Sequence, residues 1–378
     1  MESEAIALAS AALYEAAATP DAWPNALHGL ARATNSVGCR LRPVHIRPED
    51  VAFPASPDIQ GFLSDFASEG WLRADLRTLR GVSLAEAGRP VVVEHDVTTE
   101  EERRHSPFYQ TLSRRHDLPW WSAIVFEVEG RKWCASILRN AAQGPFTPAD
   151  ARSLADAAPY LGRAASLAGR FALAQGLGAV EALERIGRAA FVLDGTGLVI
   201  AANSLAEQCA AGALTLVHGG LRAADLASDR RLQTLIAQAA ASRAPGTAPP
   251  EPIFIARREG RPTMIEAFPA AGPMRDVFRG IAALVVITDL NARARPAGAL
   301  IREAFGLTKA EGRLASILAG GEDLRQAADI LGVAYETARA QLKAIFGKMQ
   351  VGRQSELAAV LMRMTLASGN RRSLNPIG

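Results

Sequence analysis

The stretch LTKAEGRLASILAGGEDLRQAADILGVAYETARAQLKAIFGKMQVGRQSEL, residues 307–357, decides how the C-terminal part of the chain folds. Thr308 and Glu311 have the spacing of a capping box, in which a hydroxyl and a carboxylate satisfy amide groups at a helix start. Asp323 and Gln326 repeat that spacing further along. Each box is followed by apolar residues at helical spacing and then by glycine, which ends a helix. The stretch therefore predicts two short helices.

Two more helices are predicted after these. Gly332 ends the second helix and begins a three-residue turn, a third helix follows at 336–349, and a fourth at 353–366. Two short helices joined by a tight turn that contains glycine are typical of a helix-turn-helix. The alternative is an amphipathic helical bundle with solvated charges. Matching caps and turns across four helices favour the helix-turn-helix.

The third predicted helix has two different faces. One is an apolar stripe suited to a core, made of Ala338, Leu342, Ile345, Phe346 and Met349. The opposite stripe, near the helix start, carries Glu336, Arg339, Ala340 and Lys343. Arg and Lys donate to guanine O6 and N7, Glu accepts from cytosine N4, and Ala permits close approach to a thymine methyl. This stripe is typical of a helix that reads base edges in the DNA major groove.

Charge is distributed unevenly along the chain. The net charge of 378 residues is only +3, yet residues 300–378 hold 11 Lys and Arg against 7 Asp and Glu. Such a surplus is typical of a domain that binds a polyanion, although a short segment can acquire it by chance. Arg325, Lys348 and Arg353 lie beside the reading helix and are predicted to contact phosphates, which set register without reading sequence.

Composition excludes several classes of protein. Hydrophobic residues make up 49% of the chain and charged residues 21%, which predicts a folded protein over most of its length. No apolar run approaches the roughly 20 residues of a membrane span, and the acidic start lacks the basic region of a signal peptide. Three scattered cysteines and six scattered histidines form no disulfide framework or metal motif. We expect a cytoplasmic protein without membrane contact, bound metal or cofactor.

Two mixed α/β segments precede the C-terminal helices. Residues 1–148 begin with two amphipathic helices and continue with four predicted strands. Residues 149–187 are an Ala-rich helical connector, with Pro159 placed to kink it. Residues 188–291 predict about five strands, and Ile281–Thr288 is the central one because it is apolar on both faces.

Three stretches resemble known regulators. Residues 307–357 strongly resemble the helix-turn-helix of LuxR-type transcriptional regulators, and AAFVLDGTGLVIAAN, residues 189–203, resembles part of a PAS domain. The run PFYQTLSRRHDLPWW, residues 107–121, followed by two strands and GPFTPADARSL, is similar to the sensory half of many LuxR-type regulators. The resemblance implies an α+β chain of three domains. These are GAF/PAS-like α/β sensory domains at 1–148 and 188–291, and an all-α four-helix LuxR-type helix-turn-helix domain at 299–368.

The resemblance also implies roles for single residues. Thr337, Arg339, Ala340 and Lys343 stand where the family reads bases or adjoining phosphates, and Lys348 stands where it holds the DNA backbone. The last helix stands where the family dimerises, which implies dimer contacts by Leu357, Val360, Leu361 and Met364. The implied partners are double-stranded DNA and a second copy of the chain.

Two positions depart from the family pattern. Ala334 stands where the family has Ser or Thr as the cap of the reading helix, and loss of such a cap costs about 1 kcal/mol. Gln341 stands where the family usually has His. Both departures leave open an alternative function, a protein-interaction scaffold whose degenerate helix-turn-helix no longer binds specific DNA.

The N-terminal segment offers a candidate ligand pocket. The aromatic residues Tyr109, Trp120, Trp121 and Trp133 are predicted to line a pocket for an apolar or aromatic small molecule, and ordinary core packing is the alternative. Strand alternation places Trp120 and Trp121 on opposite faces, so that only one is expected to point inward.

No catalytic group is predicted. A nucleophile, a base and an orienting group cannot be assembled from the spacing of residues, which disfavours an enzyme. His95, His105 and His116 are weighed as metal ligands, but scattered structural histidines are preferred. Glu100 to Arg104 is predicted to be a solvated loop, and Gly219-Gly220 a turn.

Overall fold

The computed structural model describes residues 2–45, 53–210, 214–241, 248–257, 260–274, 277–278, 280–291 and 298–368. It is mixed, 56% helical and 20% strand, in agreement with the predicted α+β class. The chain divides into two compact units, one of Met1–Gln175 with Ala271–Ile281, the other of Gly176–Ala270 with Ala282–Gly378. Among the described residues, no helix has the length and apolarity to span a bilayer.

The first unit is built on one antiparallel sheet. Its strands are β1 (Gly38–Pro43), β2 (Val91–Val93), β3 (Trp120–Val128) and β4 (Arg131–Arg139), in the order β1-β4-β3-β2. Glu129 and Gly130 both have positive φ, 49° and 78°, and connect β3 to β4 in a tight hairpin. The four strands predicted for this segment are confirmed.

Helices cover both faces of this sheet. They are α1 (Glu2–Ala18), α2 (Trp23–Ala33), α3 (Gln60–Ser68), α4 (Leu76–Glu86), α5 (Glu94–Val97), α6 (Glu100–His105), α7 (Pro148–Ala155) and α8 (Ala158–Arg185), whose first part belongs to this unit. Side chains of α1, α2, α7 and α8 form one buried cluster with one face of the sheet. Side chains of α3, α4, α5 and a π-helical turn at Tyr109–Ser113 form another with the opposite face.

Two local predictions in this unit are wrong. Residues 100–104 form α6 instead of a solvated loop, because Thr99 and Glu102 make a capping box at its start. The connector is two helices instead of one kinked helix. The helix breaks at Asp156 and Ala157, shortly before Pro159, whose missing N–H and bulky ring disfavour a continuous helix.

The second unit contains a five-stranded sheet and a separate hairpin. The strands are β5 (Ala189–Asp194), β6 (Val199–Ala202), β7 (Leu214–Val217), β8 (Gly220–Ala223), β9 (Ile253–Ile255), β10 (Thr263–Pro269) and β11 (Ile281–Asp289). The order of the large sheet is β6-β5-β11-β10-β9, so β11 is central as predicted. Two helices, α9 (Ser204–Ala210) and α10 (Leu226–Ala241), accompany these strands.

The sequence analysis missed the β7-β8 hairpin. His218 and Gly219 both have positive φ, 48° and 80°, which is the conformation of a two-residue hairpin turn. The sequence predicts a hairpin of residues 253–258 and 263–268 about Glu259-Gly260, and residues 258–259 of it lie outside the described residues.

Five helices form the last part of the chain that the structure describes, residues 298–368. They are α11 (Gly298–Phe305), α12 (Lys309–Ala319), α13 (Leu324–Leu331), α14 (Tyr335–Met349) and α15 (Gln354–Ser368). The four predicted helices are confirmed as α12 to α15, and α11 precedes them. Most of the predicted boundary at 291–298 lies outside the described residues, and the predicted domain limits stay a prediction.

Candidate nucleic-acid interface

Both predicted capping boxes are present. The Thr308 amide donates to Glu311 Oε2 at 2.7 Å, and the Glu311 amide donates to Thr308 Oγ1 at 3.3 Å. The Asp323 amide donates to Gln326 Oε1 at 3.2 Å, and the Gln326 amide donates to Asp323 Oδ1 at 2.8 Å. These local bonds fix where α12 and α13 begin.

The turn between α13 and α14 depends on Gly332. Its φ is 66°, in the left-handed region, where a Cβ would be strained. The Val333 amide donates to the Ala328 carbonyl at 3.1 Å and closes the end of α13. The chain then enters α14, which packs against α12 and α13.

The predicted division of α14 into two faces is observed. Ala338, Ile345 and Met349 are buried in the core of the C-terminal helices, and Leu342 and Phe346 pack against that core. The opposite side is exposed to solvent along its first two turns, at Glu336, Thr337, Arg339, Ala340 and Lys343. A helix with this arrangement can present side chains to a groove while its other side stays packed.

The charged side chains on the exposed face of α14 make only weak contacts with other side chains. Arg339 Nη1 lies 3.7 Å from Glu336 Oε2, and the two side chains are 69% and 77% exposed. Pairs of this kind contribute only a few tenths of a kcal/mol. Arg339 can therefore leave Glu336 and bind another group at little cost in free energy. Within the part of the chain that the structure describes, Lys343 makes no ion pair.

Lys348 has an internal partner. Its Nζ donates to Glu311 Oε2 at 2.7 Å, and the carboxylate side chain is only 9% exposed. The hydrogen bond from Lys348 is the main cause that lowers the pKa of Glu311, and the Thr308 amide adds to it. Lys348 thus ties the last turn of α14 to the start of α12, and a phosphate would have to share or displace this contact. Sequence reasoning did not find the pair.

The two other predicted phosphate contacts lie on the surface. The Arg325 guanidinium lies 5.7 Å from the ring centroid of Tyr335, the first residue of α14, which is 43% exposed. Arg353 Nε donates to Glu356 Oε1 at 2.9 Å, and Arg353 is 76% exposed. Tyr335 was missed as a candidate contact, although its position at the start of the reading helix was the available signal.

The two departures from the family pattern have structural counterparts. Ala334 is the N-cap residue of α14, with extended backbone and no side-chain hydrogen bond to the helix amides. Gln341 Oε1 is buried and finds no hydrogen-bond partner in the described part of the chain. Both features reduce the stability of α14.

The four residues of α15 that are predicted to make dimer contacts lie in or against the core of the C-terminal helices. Leu357 and Leu361 are fully buried in the core beneath α12, because their side chains close the apolar side of this small bundle. Val360 and Met364 are half-buried against the same core. Among the residues of α15 whose side chains the structure describes, Met362 is a large apolar side chain that faces solvent, 59% exposed.

The four aromatic residues predicted to line a pocket lie on both faces of the first sheet. Trp121 and Tyr109 are buried in the cluster under α3 and α4. Trp133 is buried on the other side, and Trp120 is half-buried there. Trp120 and Trp121 face opposite sides of the sheet, as strand alternation predicts, and helices cover both sides.

The histidines of this unit have individual contacts. His95 stacks on Trp120 with ring centroids 5.6 Å apart. His105 Nδ1 contacts the Glu101 carbonyl, and His116 Nε2 lies 2.9 Å from Asp65 Oδ2. In the described ranges, no group of three His, Cys, Asp or Glu residues is placed to hold a metal ion.

Comparison with known proteins finds matches among solved structures. No family model and no curated protein matches the chain. A phage VqmA–DPO complex is 16% identical, with a TM-score of 0.23 over 53% of this chain and 94% of the other. A VqmA dimer from Vibrio cholerae, a LuxR-type receptor solved without its target DNA, is 11% identical, with a TM-score of 0.21 over 52% and 91%. Similarity at this level assigns neither a function nor a ligand to this chain.

Proposed function

We propose that the chain is a DNA-binding transcriptional regulator that reads the major groove through α14. The observation that carries the proposal is the contrast between the two faces of this helix. One face is fixed in the core by Ala338, Ile345 and Met349, and the other presents Arg339 and Lys343 to solvent at the end reached from a tight turn. A buried stripe and an exposed donor stripe on one short helix are what groove insertion requires.

The exposed residues divide into two roles. Glu336, Arg339, Ala340 and Lys343 read base edges, and Thr337 reads a base or holds an adjoining phosphate. Arg325 and Arg353 hold phosphates, and Lys348 does so by sharing its ammonium group with Glu311. The electrostatic part of binding falls as salt rises, because each phosphate contact releases condensed counterions.

The proposed architecture is a cytoplasmic homodimer with two GAF/PAS-like sensory domains and a four-helix LuxR-type reader. It acts as a regulator and not as an enzyme. Binding of a small molecule or partner at the sensory domains changes the placement of the two readers, which bind half-sites about one helical turn apart. The helical connector predicted at 149–187 joins the two sensory domains along the chain, where the structure has α7 and α8.

A second candidate function is a protein-interaction scaffold that does not bind specific DNA. The missing side-chain cap at Ala334 and the engagement of Lys348 by Glu311 favour it. On this view the C-terminal helices persist as a folded module whose charged face contacts another protein.

Salt dependence separates the two functions. Full-length protein first selects duplexes from a random pool, and its affinity for the best duplex is then measured from low to high salt. For a regulator, the logarithm of affinity falls with the logarithm of salt concentration by about 0.9 per phosphate contact. Arg353→Ala should remove one phosphate contact from each reader and so reduce the magnitude of the slope by about 0.9 per reader. A slope near zero, or failure to enrich any duplex, overturns DNA reading and supports the scaffold.

A further inference from the structure

A small polar cavity lies inside the first unit, apart from the helices that we propose read DNA. It has a volume of about 40 Å³ and lies between the sheet on one side and α3 and α4 on the other. Six polar residues line it: Arg40, Arg42, Asp75, Arg77, Thr78 and Ser136. The rest of its wall is mainly apolar and includes the rings of Phe62, Phe66 and Trp121.

Strand alternation and a helix cap bring the charged residues together. Arg40 and Arg42 are two residues apart on β1, so both face the same side of the sheet, and Arg40 pairs with Ser136 across β4. Asp75 is the N-cap residue of α4, and its side chain accepts from the amide of Arg77 in the first turn of that helix. The four charged residues are between 3% and 6% exposed, so none is a solvated surface charge.

Among the described residues that line this cavity, positive charge exceeds negative charge. Three guanidinium groups line it against one carboxylate, that of Asp75. Both oxygens of Asp75 are already engaged: Oδ1 accepts from Arg77 Nε at 2.9 Å, and Oδ2 accepts from Thr78 Oγ1 at 2.9 Å. Burial, with the nearby charge of Arg42, lowers the pKa of Arg40 to about 10.

A second carboxyl group, that of Glu94, acts on Arg77 from outside the lining of the cavity. Glu94 is fully buried behind Tyr109, whose hydroxyl donates to it, and Thr98 Oγ1 donates to the same oxygen at 3.0 Å. Burial raises the pKa of Glu94, and the charge of Arg77 opposes that shift. An anion bound in the cavity would add negative charge beside the three guanidinium groups that line it.

One hydrogen-bond donor of Arg77, Nη1, is unpaired among the described residues. The guanidinium carbon of Arg77 lies 4.2 Å from the ring centroid of Phe108, which fixes the plane of the group. Nη1 is buried, and no hydrogen-bond acceptor among the described residues reaches it. Native proteins rarely leave such a donor unpaired, so a water molecule or an anion in the cavity is expected to accept from it.

We propose that this cavity binds the carboxylate of a small aromatic acid. Arg77 donates to the carboxylate, and Arg40 and Arg42 add the charge that retains it, since a planar guanidinium matches the geometry of a carboxylate. The cavity accommodates little more than that group, because whole ligands usually occupy about 300–1,000 Å³. The ring of the ligand therefore needs more room than the cavity has, which Leu63 provides by moving aside, and it stacks against the rings of Phe62, Phe66 and Trp121.

The binding step is independent of DNA, and only its regulatory consequence rests on the proposed function. Isothermal titration calorimetry of full-length protein without DNA tests binding of benzoate and phenylacetate. We expect saturable binding of at least one of them, with one site per chain. Benzamide, a neutral analogue of benzoate, and inorganic phosphate should bind at least tenfold more weakly. No binding of either acid at millimolar concentration overturns the cavity proposal and leaves DNA reading untouched.

Variants locate the site. Arg77→Met should weaken binding of the acid at least tenfold. The matched control is Arg139→Met, because Arg139 is 4% exposed, pairs with Asp150 at 3.0 Å, and lies on the other face of the sheet. The control should lose stability but keep its affinity for the acid. If Arg77→Met does not fold, Ser136→Val is the second variant. Its larger apolar side chain fills the cavity without removing a charge, and it should weaken binding of the acid at least tenfold. Unchanged affinity in a folded cavity variant, or an equal loss in the Arg139 control, overturns the assignment.

The regulatory step has its own readout. With the acid bound, affinity for the selected duplex should change at least threefold in wild type and remain unchanged in Arg77→Met. If the acid binds but no duplex is enriched, the proposed function fails and the cavity assignment stands.

Discussion

The contact between Lys348 and Glu311 should stabilise the C-terminal helices measurably. It joins the end of α14 to the start of α12, two elements that are separated along the chain. Hydrogen bonds to charged groups contribute about 1.5–3 kcal/mol. The Lys348 side chain is 37% exposed, so solvent screening places the expected coupling free energy nearer to 1 kcal/mol.

A double-mutant cycle with Glu311→Gln and Lys348→Met measures this coupling. Gln keeps the capping geometry at the start of α12, so the cycle isolates the ion pair. Hydrogen exchange of the α12 and α14 amides in the full-length protein gives the free energy of local opening for each variant. A coupling below about 0.3 kcal/mol, which is within the scatter for independent sites, would refute the reasoning.

The coupling should also depend on pH. The pKa of Glu311 is lowered in the folded state, chiefly by Lys348, so its ionised form stabilises the fold at neutral pH. Stabilisation by a carboxylate with a lowered pKa is complete above its unfolded pKa and is lost as pH falls through the folded pKa. The difference between wild type and Glu311→Gln should therefore be full at pH 7 and shrink below about pH 4. A difference that grows on acidification would contradict the assigned sign.

Three further substitutions test the local structure of the same helices. Ala334→Ser should stabilise α14 by about 1 kcal/mol, since it adds the missing cap, and its amides should exchange more slowly. Gln350 ends α14 with a φ of 55°, so Gln350→Gly should stabilise by about 1 kcal/mol, and an unchanged midpoint in urea would argue against strain there. Leu361→Ala should destabilise by about 2–5 kcal/mol if the side chain is core, whereas a dimer contact would instead make stability depend on protein concentration.

The C-terminal helices could be predicted because interactions between residues close in sequence set their boundaries. The capping boxes at Thr308 and Asp323, and the glycine at 332, each act within a few residues of the chain. The missing side-chain cap at Ala334 could also be predicted, since an N-cap depends on the side chain of one residue. The pair of Lys348 with Glu311 was not readable, because it joins residues that only the packing of α12 against α14 brings together.

The first unit was harder to predict for the same reason. Its four strands follow from their composition, but whether one or both faces are covered depends on distant helices. Arg40 and Arg42 alternate with apolar residues on β1, a pattern that normally indicates a solvated face. In the structure both are buried under α3 and α4. The candidate cavity therefore could not be found from sequence, although the box of Thr99 and Glu102 that begins α6 could have been.

Base preference tests the central claim, that the exposed face of α14 distinguishes one base pair from another. Wild type and Arg339→Ala should be compared for their affinity toward every single-base variant of the selected duplex, at one fixed salt concentration. We expect Arg339→Ala to lose about 1–3 kcal/mol of discrimination at one base pair per half-site and to retain its preferences elsewhere. A uniform loss at all positions, or preferences identical to those of wild type, would contradict reading by this helix.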